Sequence, residues 1–348
     1  MRTAILIRTT LLAVLLLACG AGLAGAEGDA GASQAGALQW TNDPHQALTK
    51  AKAEGRPVYI YIWAKYNPDC VYMADNTLAD DAVMAQLGIF ELVALDADNR
   101  ANFPFFDRYK IPVLRMEGPN ATPVPYESGL QVKSGGRYPT NLFLDSQGRE
   151  VFRMPGRVEP KAFVTRLGQV QQLLKAWDNQ RRNPTSPTAE AQLGHLYAQL
   201  QVLPEAKKHL QKALDLDPQN LSSLQPDIKL DLIIMAIPDD PGGSLRLLQG
   251  WQKQYATHPR RLEAIYYEAV ANVAVGSDLI EKAPDPDAVR AVTKQAVAGY
   301  EVALHILARF QQAQKGSLEY ESQWYQPALQ LIAGIEAARA DLLKPPAK

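Results

Sequence analysis

The sequence predicts two domains of different class, an α/β domain in the first half and an all-α helical-repeat domain in the second. Three observations carry this reading. Between Leu38 and Trp177, short β-branched and aromatic runs alternate with amphipathic stretches, as in a sheet flanked by helices. From Thr188 onward the apolar residues keep helical spacing and no strand-like run occurs. QRRNPTSPT, a polar segment with two prolines, separates the halves. At 348 residues the chain is long enough for each domain to bury its own core.

The N-terminus reads as an export signal. Arg2 and Arg8 flank a basic start, and LLAVLLLA runs apolar from Leu11 to Ala18 before small residues begin. That run is too short to span a bilayer as a mature helix. Two cleavage readings compete. Leu16-Leu17-Ala18-Cys19-Gly20 resembles a bacterial lipobox, which makes Cys19 the acylated first residue of a lipid-anchored protein. Ala24-Gly25-Ala26 is an A-x-A site that would release a soluble chain starting at Glu27. The lipobox is preferred because its small residue and cysteine directly follow the apolar run. Residues 1–18 are therefore read as the export segment and the Gly/Ala-rich residues 19–37 as a tether.

The α/β elements follow in order. ALTKAKAEGRP is an amphipathic helix ended by Gly55 and Pro57, and VYIYIWA (58–64) is a buried strand. A helix starts at Pro68, where the missing N–H costs nothing, and is expected to continue through DDAVMAQLG (80–88). FELVALDAD (90–98) is a second strand and FPFFDRYKI a short helix. TNLFLDSQGREVFRMPG is a hairpin turning at Ser146-Gln147-Gly148, and PKAFVTRLGQVQQLLKAW is a long closing helix.

Composition excludes several function classes. Lys+Arg (36) and Asp+Glu (37) nearly cancel, and no basic run argues for nucleic acid. Five histidines are scattered and no Cys/His group has metal-ligand spacing, so no metal and no cofactor is expected. Of the two cysteines, Cys19 is acylated or removed, which leaves Cys70 without an intramolecular partner.

Motifs in that order carry a family resemblance. Trp40, Arg56-Pro57-Val58, Ala64, Tyr66, Cys70, Met73, Asp81-Ala82-Val83 and Leu95-Asp96-Ala97-Asp98 are followed by Tyr109, Pro139-Thr140, Phe143-Leu144-Asp145 and Gly148. Together they resemble the bacterial exported thioredoxin-like proteins over about residues 38–177. The resemblance implies a thioredoxin fold with a cis peptide bond at Tyr138-Pro139 facing the redox motif, and a groove in which Tyr66, Asp69, Tyr138 and Pro139 bind a peptide. Two departures stand out. Asn67 occupies the position of the attacking cysteine in W-C-x-x-C, so only the resolving position keeps its sulfur. Residues 112–137 are inserted where the family crosses in a few residues, a length that marks either a functional or a tolerated surface loop.

The chemistry narrows accordingly. The first cysteine of a dithiol pair attacks because a helix N-terminus stabilises its thiolate. Asn67 cannot attack, and Asn is among the best helix caps. Cys70 is left either as a lone reactive thiol, in a redox sensor or a single-thiol oxidoreductase, or as a small buried residue under the helix.

In the second half, TAEAQLGHLYAQLQVLPEAKKHLQKALDLDPQN resembles a tetratricopeptide repeat, with Leu193, Gly194, Tyr197, Ala206, Ala213 and Pro218 at that repeat's spacings. Residues 178–187 read as the linker and 188–345 as the repeat-like domain, whose later helices are degenerate. His195, His209, His258 and His305 read as surface or core residues. The function expected is an interaction or assembly factor of the cell envelope that binds proteins or peptides through the groove and the helical array. It would touch membrane through its lipid anchor only.

Overall fold

The computed structural model describes residues 38–111, 114–115, 124–125, 138–317 and 319–343. The export segment, Cys19, the tether and most of the 112–137 insertion lie outside the described residues. The chain divides into two compact units, with the boundary between Arg182 and Asn183.

The first unit is built on a five-stranded sheet in the order β1-β3-β2-β6-β7. β1 (Trp40–Thr41), β3 (Glu91–Asp96) and β2 (Val58–Trp63) are mutually parallel, and β6 (Thr140–Leu144) and β7 (Glu150–Pro155) run antiparallel. β2 is apolar at every position and buried from Val58 to Ile62, as a central strand covered on both faces must be. One face meets α1 (Pro44–Glu54) and α4 (Phe103–Arg108), which put Ala47, Ala51, Phe105 and Phe106 against Val58, Ile60 and Ile62. On the other face Tyr59 stacks on Phe143 at 4.9 Å and meets Phe163 of α5 (Pro160–Arg182) at 6.0 Å.

Local rules set the helix limits. The Asp43 carboxylate accepts from the His45 and Gln46 amides, Pro44 opens α1, and Gly55 at φ +70° ends it in the left-handed conformation. A single helix from Pro68 through Gly88 is not formed. α2 (Pro68–Tyr72) passes into a π-helical turn (Met73–Thr77), and α3 (Asp81–Leu87) starts afresh. Thr77 is fully buried with its hydroxyl donating to the Val158 carbonyl at 2.7 Å, while Asp80 caps α3 through the Ala82 and Val83 amides. The Asp80 side chain takes amides that a continuous helix would pair with backbone carbonyls, and so starts a new helix. α5 continues to Arg182, beyond the expected Trp177, and the next helix begins at Pro187.

Buried polar residues fix the ends of the sheet. Arg56 donates to the Gly88 and Phe90 carbonyls at 2.8 and 2.9 Å and pairs with Glu91 at 2.5 Å. Asp145, 2% exposed, accepts from the Gln147 and Arg149 amides and pairs with Arg149 and Arg181, both at 2.9 Å. Gly148 sits at φ +72° and receives the Tyr109 hydroxyl on its carbonyl at 2.7 Å. Asp145, Gly148 and Tyr109 are thus the parts of one hairpin lock. Within the insertion, β4 (Leu114–Arg115) pairs antiparallel with β5 (Val124–Pro125).

The second unit is helical. It comprises α6 (Pro187–Gln199), α7 (Leu203–Leu216), α8 (Gln225–Ala236), α9 (Pro241–Gln254), α10 (Arg261–Lys282), α11 (Pro286–Gln314) and α12 (Tyr325–Leu342), the last preceded by a π-helical turn (Tyr320–Trp324). α8 has no strong periodicity and escapes a sequence reading. Small residues permit the closest approaches. A Cβ on Gly194 would lie 2.5 Å from Leu210 Cγ, and one on Gly276 would lie 2.7 Å from the Tyr300 ring. Glu190 is fully buried, yet it bonds His209 Nδ1 at 2.7 Å and Lys212 Nζ at 2.5 Å, and His209 stacks on Tyr197.

Arg260 ties three segments. Its guanidinium reaches Asp231 at 2.5 Å, Glu263 at 2.7 Å and Asp227 at 3.5 Å, while His195 meets Asp231 at 3.0 Å. Burial alone would raise the Asp231 carboxyl, but the His195 hydrogen bond and the Arg260 charge outweigh it and hold it low. Removing the cation leaves inward-facing carboxylates without their counterion, which is costly even when the site is partly wet. Arg260→Ala is expected to lower the stability of the helical unit by about 2 kcal/mol in urea unfolding.

Candidate functional site

The residues expected to carry chemistry meet where β2 ends and α2 begins. Trp63 closes β2, the chain turns through Ala64-Lys65-Tyr66, and Asn67 caps α2 in an extended conformation at φ −95°, ψ 115°. Its Oδ1 accepts from the Asp69 amide at 2.9 Å. Its Nδ2 donates to the Tyr138 carbonyl at 3.0 Å, and the Tyr138–Pro139 peptide bond is cis. One carboxamide therefore serves the helix N-terminus with one end and the loop before β6 with the other. A thiol at this position would put its sulfur where those helical amides could stabilise a thiolate. The amide offers no nucleophile and takes both contacts for itself.

Cys70, one turn into α2, is 2% exposed. Its sulfur accepts from the Ala64 amide at 3.4 Å, and the Tyr61 hydroxyl donates to its carbonyl at 2.7 Å. Burial pushes the thiol pKa up, and the Ala64 N–H and the Tyr61 hydroxyl, which favour the thiolate, do not cancel that effect. The same burial, with Cys70 nearby, raises the Tyr61 phenol. At neutral pH Cys70 is a protonated, shielded thiol, and the thiolate is the reactive form.

The four groove residues part company. Tyr138 and Pro139 are buried, and the Pro139 carbonyl accepts the Gly156 amide at 2.6 Å. With the Tyr138 carbonyl held by Asn67, this edge is occupied from within the chain. Tyr66 is 60% exposed, its phenol raised first by burial and then by the Asp98 charge. Asp69 is exposed and lies 3.9 Å from Arg157. Arg157 stacks over the Tyr72 ring at 4.0 Å and pairs with Glu159, which also accepts the Tyr72 hydroxyl.

Beside this turn lies a pocket of about 520 Å³ that the sequence reading did not foresee. Trp40, Tyr61, Trp63 and Ala94 line it from the sheet, and Cys70, Val71, Ala74, Asp75 and Leu78 from α2 and the turn after it. Alternate residues of β2 pointing to one face was the available signal. What remained hidden was that α2 leaves that face partly uncovered. Among the described residues no group of three or more His, Cys, Asp or Glu could hold a metal ion, and no helix is long and apolar enough to cross a membrane.

Two outcomes follow from the geometry. Asn67→Ala loses both contacts and is expected to cost about 1–2 kcal/mol of stability in chemical denaturation, whereas Asn67→Ser keeps a cap, loses the tie to Tyr138 and costs about half as much. Alkylation of Cys70 by iodoacetamide near pH 7.5 should be about 100-fold slower in the folded chain than in urea. Because the folded thiol is raised, its contribution to stability is complete below about pH 8.5 and fades as the pH climbs past that value. Alkylation of the folded chain rises with pH as its thiolate fraction grows, and levels off at a higher pH than alkylation of the unfolded chain.

The family comparison agrees with the fold. A family model described as a thioredoxin-like domain matches residues 44–171. Similar solved structures include a solution structure of a thioredoxin from Thermus thermophilus, at 25% identity over 41% of this chain and 95% of that one with a TM-score of 0.32. A DsbH oxidoreductase is similar at 19% identity over 44% of this chain and 96% of that one, with a TM-score of 0.29. No curated protein matches this chain. Residues 44–171 are a thioredoxin-like domain, and the chain continues into a largely helical region.

Proposed function

We propose that this protein is an exported interaction or assembly factor of the cell envelope, anchored by lipid at Cys19 and devoid of dithiol turnover. In this reading the thioredoxin-like domain binds a protein partner without reducing it. The helical unit, which we read as a tetratricopeptide-like array, supplies a second protein-binding surface. One observation carries the proposal: the Asn67 carboxamide occupies the nucleophile's position with both of its polar ends engaged, at 2.9 and 3.0 Å. Disulfide exchange begins with thiolate attack and releases product through a second thiol, so one shielded sulfur cannot complete the cycle.

Supporting observations come from both units. Cys70 is buried with its pKa raised, the opposite of an attacking cysteine. In the helical unit Gly194 and Ala206 sit at the tight α6–α7 crossing and Tyr197 packs between those helices, which is what small and aromatic residues do in paired helical repeats. The apolar run before Cys19 supports export.

A second reading, a redox sensor or oxidoreductase acting through Cys70 alone, draws on the presence of Cys70 in the lining of the pocket. Insulin reduction with a dithiol regenerating system separates the two. The unaltered chain is expected to stay at background. Asn67→Cys, which restores the C-x-x-C spacing, is expected to raise the rate at least about tenfold. Turnover by the unaltered chain at the level of a dithiol enzyme would refute the proposal.

A further inference from the structure

We propose that the pocket beside the Asn67–Cys70 turn docks a basic peptide segment that presents one apolar anchor side chain. This rests on the reading of the domain as a protein-binding module and adds the chemistry of the partner.

The anchor site follows from what the pocket leaves to water. Val71 is 53% exposed and Trp40 37% exposed although both line it, and Tyr66 beside the turn is 60% exposed. Exposed large apolar side chains gathered around a concavity mark a binding surface, whereas single ones scattered on a surface do not. The pocket volume, about 520 Å³, accommodates a bulky side chain with room for its neighbours.

Charge selects the rest of the occupant. Asp75 lines the wall of the pocket. Asp96 lies two residues beyond Ala94 on β3, so it shares the face that Ala94 contributes, and it stands in register with Trp63. Asp98 follows at once, its amide bonded to Asp96 Oδ1 at 2.9 Å. Among the described residues, none of these three carboxylates forms an ion pair, and Lys65 is the one cation in the lining. Asp69 already faces Arg157, which Glu159 also holds. Within the lining Asp75 is matched by Lys65, so the excess of negative charge lies at the border, where Asp96 and Asp98 stand with Arg100 the next cation along the chain. Burial, reinforced by Asp96, raises the Asp98 carboxyl, as expected for neighbouring like charges awaiting a counterion.

The border also decides between a peptide and a small ligand. Asp96 and Asp98 stand outside the lining, so an occupant that answers their charge must extend past the mouth. A chain segment with lysine or arginine flanking the anchor does so. An anionic segment meets repulsion there. The usual backbone edge at Tyr138 is taken by Asn67, so side-chain contacts here have to carry the recognition.

The test is fluorescence anisotropy on the intact chain. The probe is a fluorescein-labelled peptide with the core Lys-Lys-Phe-Lys-Lys, compared with versions carrying Glu for Lys or Ser for Phe. The lysine peptide is expected to bind at least about tenfold more tightly than the glutamate peptide and to weaken as salt rises. Combining D75N, D96N and D98N should remove most of that preference, and Asn at position 96 still accepts the Asp98-position amide, so the fold is kept. Val71→Ser, at an exposed position, should weaken binding by several fold. Equal binding of the lysine and glutamate peptides, or no effect of the triple variant, overturns the charge selection. Equal binding of the Phe and Ser peptides overturns the anchor, and no binding by any peptide overturns the proposal. The underlying reading fails separately, on insulin turnover by the unaltered chain.

Discussion

The carboxamide of Asn67 joins two segments that are 71 residues apart in sequence, the start of α2 and the loop that leads into β6. Two hydrogen bonds of ordinary length do this, and their net energy is modest. Their consequence is positional. They set the N-terminus of α2 against the cis Tyr138–Pro139 bond and engage the Asp69 amide and the Tyr138 carbonyl from within the chain. A cysteine in the same place would leave those groups available. Asn at this position is both a good cap and a donor of suitable reach, and it offers no nucleophile.

The rest of the domain is held by buried and half-buried polar residues acting as fixed struts. Asp145 gathers the β6–β7 turn and the end of α5, Arg56 clamps the start of β3, and Tyr109 reaches the Gly148 carbonyl. None of these groups takes part in the Asn67 contacts, and they hold the frame of the thioredoxin-like domain on their own. Their requirement is structural: each satisfies backbone groups that burial would otherwise leave without partners. The aromatic stack of Tyr59, Phe143 and Phe163 supplies the apolar half of the same frame.

The helical unit relies on two devices. Glycines at the α6–α7 and α10–α11 crossings let backbones approach to distances that no larger residue allows. Inward-facing carboxylates meet cations in place, Glu190 with Lys212 and Asp231 with Arg260, and His209 and His195 add close polar contacts to them. Such networks give little net stability over apolar packing, but a single broken partner is expensive, so they favour one arrangement of helices over close alternatives.

Much of this was legible in the sequence. The strand at 58–63, the helix ends at Gly55 and Pro68, the hairpin around Gly148 and the α6–α7 pair all follow from short-range rules of turns, caps and periodicity. The absence of a nucleophile at Asn67 is a matter of residue identity alone and needed no coordinates. Tertiary structure decided what depends on distant residues meeting. Thr77 at the end of the π-helical turn finds the Val158 carbonyl 81 residues away, and Asn67 finds Tyr138. Cys70 loses its access to water through atoms of other elements, and Asp75 and Ala94 come to line one pocket from a helical turn and a strand. Local sequence fixes which conformations and which atoms a segment offers, whereas burial and electrostatic environment are properties of the folded neighbourhood, which no local window contains.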